Sequence, residues 1–168
     1  MRRTSLVQRL FTLACAIWAL DFLTKNWAVE NLSGAPKEII GSFLRLTLLR
    51  NPGAAFSMAT EFTIIFTTIS VAVAIFIARY ASRITSPWWA YVAGLVLGGV
   101  LGNLTDRIFR EPGFLYGHVI DWIEIPHWPI FNVADSSIFI AAGIAILLTI
   151  KNISPTATAR DEKSGHNE

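Results

Sequence analysis

The sequence predicts an all-α integral membrane protein: four transmembrane helices, with a small β-sheet and a short helix in the outer loops. Three observations carry this. Of 168 residues, 53% are apolar without counting glycine, and 15% are charged; a soluble domain carries about 25% charge. Mean hydropathy is +0.49. Four apolar segments, 10–29, 62–78, 88–104 and 131–150, each fall within the ~17–25 residues that a helix needs to cross the hydrocarbon core. These values exclude a disordered chain and an ordinary soluble globule. The single cysteine, Cys15, excludes an intramolecular disulfide and a cysteine-built metal cluster. A net charge of +2 gives no reason to expect a nucleic-acid partner.

The first span contains Asp21 and Lys25. Arg2 and Arg3 precede it, and Ala14-Cys15-Ala16 imitates a signal-peptide cleavage site. The apolar run continues past that site through 18–20, so the segment reads as a retained span rather than a cleaved leader. The second and third spans carry no charge, and the fourth carries only Asp135. Orientation follows from the basic residues. Arg2, Arg3, Arg9, Arg79, Arg83, Lys151, Arg160 and Lys163 crowd the short segments 1–9, 79–87 and 151–168. Lys37, Arg45, Arg50, Arg107 and Arg110 are spread over the longer segments 30–61 and 105–130. Both termini are therefore expected in the cytoplasm and the long loops outside. Residues 1–153 form the membrane domain, and 154–168 a polar, disordered tail.

The outer loops have their own pattern. Residues 39–50 are rich in β-branched and large apolar side chains; Asn51-Pro52-Gly53 signals a turn, and a second apolar run follows at 54–58. This predicts an antiparallel sheet on the membrane surface. Glu111-Pro112-Gly113 marks another turn, and Phe114, Tyr116, Trp122 and Trp128 suit the headgroup region.

Polar groups in a membrane are costly, so each needs a reason. Asp21 and Lys25, spaced i, i+4 in the favourable order, predict an ion pair near the outer end of the first helix, with Lys25 free to snorkel. Gly94, Gly98, Gly99 and Gly102 allow close helix packing. They could also leave a groove for an apolar helical substrate. Asn103 and Asp106 share a face, and Arg107 beside the headgroups can grip a phosphate or carboxylate. Asp121, in an apolar stretch, and Asp135, with Asn132 on its own helical face, are joined by a loop short enough for the two acids to meet. Held close, two carboxylates cannot both ionise freely, which is the aspartic-protease arrangement. Spacing alone leaves open the plainer alternative of a helix cap and an exposed loop acid. A zinc site at His118, with His127 nine residues on, lacks further ligands, and a Ser-Lys dyad from Ser57 or Ser136 with Lys25 lacks a supporting motif. A transporter would place its charges near the midplane, whereas here they gather at one edge. A non-catalytic scaffold is the third possibility.

Five blocks in order bring a family into view: Asp21-Phe22-Leu23-Thr24-Lys25, Asn51-Pro52-Gly53-Ala54-Ala55-Phe56-Ser57, the run from Gly98 to Arg107, Gly117-His118-Val119-Ile120-Asp121-Trp122, and Phe131-Asn132-Val133-Ala134-Asp135-Ser136. Together they resemble lipoprotein signal peptidase (signal peptidase II). The resemblance implies a four-helix aspartic endopeptidase of the bacterial inner membrane. Such an enzyme cuts prolipoproteins just before a diacylglyceryl-modified cysteine. It implies Asp121 and Asp135 as the catalytic pair. Asn51, Gly53, Asn103, Arg107 and Asn132 then line the active site, and Asp21 and Lys25 support it. No metal or cofactor is implied; the expected partners are prolipoproteins and membrane phospholipid, and the chain is expected to be a monomer. The stretch 109–116 is longer than usual for the family, Trp122 stands where Phe is usual, and Pro52 lies inside the Asn-x-Gly motif.

Overall fold

The computed structural model describes residues 2–53 and 59–156. The expected second strand at 54–58, and Ser57 with it, lie outside the described residues, as does 157–168 of the tail. Four long helices appear in the expected order: α1 (Arg2–Asn31), α2 (Ala59–Tyr80), α3 (Pro87–Phe109) and α4 (Val133–Ile150). Each is long and apolar enough to span a membrane. Three run past the expected limits. Polar residues outside the hydrocarbon extend a helix as long as backbone bonding continues, and hydropathy does not register them. Ser86 and Pro87 open α3, where the missing proline N–H has no bond to lose.

α3 is the central helix and packs against α1, α2 and α4. Its glycines make this possible. A Cβ on Gly98 would lie 2.7 Å from the Ile17 Cβ and 2.8 Å from the Ala14 carbonyl of α1. One on Gly99 would lie 2.5 Å from the Ala134 carbonyl of α4. The packing expectation holds, and the substrate groove along α3 does not: the protein's own helices fill that space.

The sheet is three-stranded and antiparallel, ordered β1 (Lys37–Ile40), β2 (Leu44–Asn51), β3 (Val119–Glu124). β2 pairs with β3 across some 70 residues of chain, with Leu49 opposite Asp121 and Asn51 opposite Val119. Ile120 of β3 is buried with Ala28 of α1 and Leu32 just past its end, which seats the sheet on one end of the bundle. At the other end, Leu6, Leu10, Ala14, Ala81, Ala90 and Leu97 form an apolar core. Among the described residues the one short helix, Ala81–Arg83, is at that other end, joining α2 to α3. Residues 111–116 form a series of turns, and the short helix expected in the outer loops is not found among the described residues, which leave out 54–58 of the first outer loop. The chain also stays ordered slightly beyond the expected start of the tail, where the Thr85 amide donates to the Pro155 carbonyl at 2.9 Å.

Candidate active site

Asp21, Lys25, Asn51, Gly53, Asn103, Arg107, Asp121, Asn132 and Asp135 all lie at the junction of sheet and bundle. Each reaches it from a different local cause. Asn51 is the last residue of β2 and the diagonal neighbour of Asp121, so both project from one face of the sheet. The Asn51 Nδ2 donates to Asp121 Oδ2 at 2.8 Å. Its Oδ1 accepts from the Gly53 amide at 2.8 Å, closing a turn in which Gly53 has φ +100°. A side chain at Gly53 would be strained there, and its Cβ would sit 2.9 Å from Arg107 Nη2.

Asn132 caps α4. Its side chain accepts from the Asp135 amide at 2.8 Å, and Asp135 Oδ2 accepts in return from the Asn132 amide at 3.3 Å. The cap and the site are therefore the same residues. Asn132 Nδ2 also donates to Asp121 Oδ1 at 2.7 Å, so one amide side chain touches both acids. Asn103 Nδ2 donates to Asp135 Oδ1 at 2.7 Å. Asp121 is 1% exposed. Burial pushes its carboxyl up to about 7, and the neighbouring Asp135 charge adds to that; the amides of Asn51 and Asn132 and the more distant Lys25 pull it back.

Lys25 does not snorkel. It is 1% exposed, with Nζ 2.7 Å from Asp21, 3.0 Å from Asp106 and 2.9 Å from Asn103 Oδ1. Three acceptors satisfy its three donors. An ammonium so held cannot serve as the base of a Ser-Lys dyad, and Ser136 donates instead to the Asn132 carbonyl. Asp21 Oδ1 accepts from the Ala134 amide at 2.8 Å, so α1 satisfies an open N–H in the first turn of α4. Arg107 is buried rather than interfacial: it donates to the Gly117 carbonyl at 3.2 Å and, among the described residues, forms no ion pair.

Sequence reasoning left Asp106 and Arg110 out of the site. Asp106 binds Lys25, Arg110 and, at 3.1 Å, the Ile120 amide adjoining Asp121. Arg110 reaches Asn26 at 2.9 Å. The i, i+4 spacing of Asp106 and Arg110 was a usable signal. The long connection is tied down as well: the Gly117 amide donates to the Arg107 carbonyl, and Thr67 Oγ1 to the Leu115 carbonyl, both at 3.0 Å. Beside Asp135 lies an apolar groove of about 450 Å³, bounded by Ile125, Trp128, Phe131, Phe139 and Ile140. It runs along α4, where no groove was expected. Among the described residues no set of three His, Cys, Asp or Glu side chains clusters for a metal ion.

Known proteins match this arrangement. The "Lipoprotein signal peptidase" of Rhodococcus jostii (strain RHA1) is 48% identical over 152 residues, covering 90% of this chain and 77% of that protein. That of Mycobacterium avium (strain 104) is 48% identical over 145 residues, covering 86% and 78%. A solved bacterial membrane enzyme, determined by the in meso method at 2.3 Å resolution, superposes with a TM-score of 0.74 at 27% identity, covering 86% of this chain and 89% of that one. The family model for signal peptidase (SPase) II matches residues 13–151, a stretch that holds every residue of the site. The chain therefore belongs to the signal peptidase II family and is a hydrolase of the aspartic-peptidase type.

Proposed function

We propose that the protein removes signal peptides from prolipoproteins by hydrolysing the bond before a diacylglyceryl-modified cysteine, with Asp121 and Asp135 as the reacting pair. The observation that carries this is Asn132, whose side chain and backbone hold both carboxyl groups together, Asp121 buried and Asp135 partly exposed beside the groove. With one proton on the pair, the ionised carboxylate takes a proton from water as the oxygen bonds to the scissile carbonyl carbon. The protonated carboxyl donates to the carbonyl oxygen. When the C–N bond breaks, the carboxyl that took the water proton gives it to the cysteine nitrogen, and the other carboxylate takes a hydroxyl proton back as the new carboxyl group forms, which restores one proton to the pair. The two acids titrate as a unit, so base and acid are properties of the pair.

The groove beside Asp135 has the chemistry of an apolar substrate, a lipid chain or a signal-peptide helix. The distribution of basic residues supports cytoplasmic termini with the site at the outer face, and the family supports the bacterial inner membrane as the location of this multi-pass protein. Arg107 and Gly53 fix the turn that presents Asn51.

The test is cleavage by the purified protein of a prolipoprotein with and without the diacylglyceryl group, the products being weighed by mass spectrometry. Cleavage immediately before the modified cysteine, with the unmodified substrate spared, is expected. Cleavage at another bond, or none by folded protein, would overturn the proposal.

A further inference from the structure

At the end of the bundle away from the carboxylates, a crevice of about 330 Å³ opens between α2 and α3. Phe76, Ala93 and Val96 line its depth, and Tyr80, Arg83 and Trp89 stand at its mouth. From Trp89 to Val96 α3 rises about 10 Å, room for the upper part of an acyl chain. The mouth is braced by the returning chain: the Trp89 indole donates to the Ile153 carbonyl at 2.7 Å, and the Thr85 amide to Pro155. The Arg83 guanidinium lies 4.6 Å from the centre of the Tyr80 ring, held over the opening. Among the described residues it forms no ion pair. Its donors fit a phosphate.

We propose that this crevice binds an anionic phospholipid, with one acyl chain between α2 and α3 and the phosphate on Arg83. Apolar walls beneath a cation that has no ion-pair partner among the described residues select that ligand over a free anion or a polar peptide. The site is separate from the carboxylate pair, and its test reads lipid retention rather than proteolysis.

The full-length protein, purified in detergent, is titrated with dioleoyl-phosphatidylglycerol and, separately, dioleoyl-phosphatidylcholine, and bound lipid is counted by native mass spectrometry. Preferential retention of phosphatidylglycerol is expected. Arg83→Gln should weaken it about fivefold, and Ala93→Leu, which fills the crevice, should weaken both lipids. Lys151→Gln, an exposed charge outside the crevice, should change neither. Ile84→Trp crowds the mouth from outside the helices and repeats the filling test if Ala93→Leu does not fold. Equal losses from Arg83→Gln and Lys151→Gln would reduce the effect to diffuse charge and overturn the proposal. So would unchanged binding in folded Ala93→Leu or Ile84→Trp. A dimer that those substitutions dissolve would give the crevice to a second copy and overturn it as well.

Discussion

Asp21 and Asp106 face a buried ammonium, whereas Asp121 and Asp135, further along the same hydrogen-bond network, are held by amides. The first two share Lys25 at 2.7 and 3.0 Å. The second two are bound by Asn51, Asn103 and Asn132, and among the described residues no cation lies within ion-pair distance of either. Asn103 connects the sets, accepting from Lys25 and Asn132 and donating to Asp135. A contacting cation compensates a carboxylate's charge and ties it in place. An amide orients it and favours its charged form, but at Asp121 burial outweighs that. Two pairs of the same residue type thus take different work: one fixes α1, α3 and α4 together, and the other stays free to exchange a proton.

The comparison can be broken most sharply at the amide-held pair. Asp121→Asn and Asp135→Asn should each lower cleavage on the order of 10³-fold or more while the thermal unfolding midpoint stays close to wild type. Equal loss of folding would make these acids structural. The cation-held pair should behave in the opposite way. Lys25→Met leaves buried Asp21 uncompensated and Asp106 with Arg110 alone, and about 3–5 kcal/mol of stability should be lost, read by tryptophan fluorescence on heating.

A smaller change sharpens the contrast. The Asn51 amide favours ionised Asp121, so Asn51→Ala should raise that carboxyl above its value of about 7. Losing one hydrogen bond to a charged group corresponds to about one to two pH units. Any decline in rate caused by ionisation of Asp121 should therefore move to higher pH; a move to lower pH would contradict the assigned role of the amide. The smallest effect belongs to the sheet surface, where Arg45 pairs with Glu124. Arg45 is 40% exposed. Arg45→Gln should cost no more than about 1 kcal/mol in the same unfolding measurement.

The four spans were legible because each is a continuous apolar run, and their order set the topology. The β character of 39–50 was legible from its side chains, but neither the turn at 41–43 that splits it into β1 and β2 nor the other partner of β2 was. β3 pairs with it across some 70 residues, and no local pattern encodes that. The Asp121 and Asp135 pairing was suggested by spacing and strengthened by resemblance. The contact through Asn132 was not readable, because a capping box and a loop acid meet there only in the folded chain. Burial of Lys25 was missed for a similar reason: an i, i+4 ion pair suits a snorkelling lysine equally well, and its third partner, Asp106, comes from another helix. The α4 groove depends on Trp128 folding back beside Phe139, where the rings meet edge to face.

The central claim is that one carboxyl of the amide-held pair keeps its proton near neutral pH. Infrared difference spectroscopy of the detergent-purified protein, titrated with base, tests it directly. A protonated-carboxyl band that disappears as pH rises through about 7, and that is missing in Asp121→Asn, is the predicted result. A spectrum in which Asp121→Asn removes no such band, because the group is already ionised in weakly acidic solution, would contradict the account.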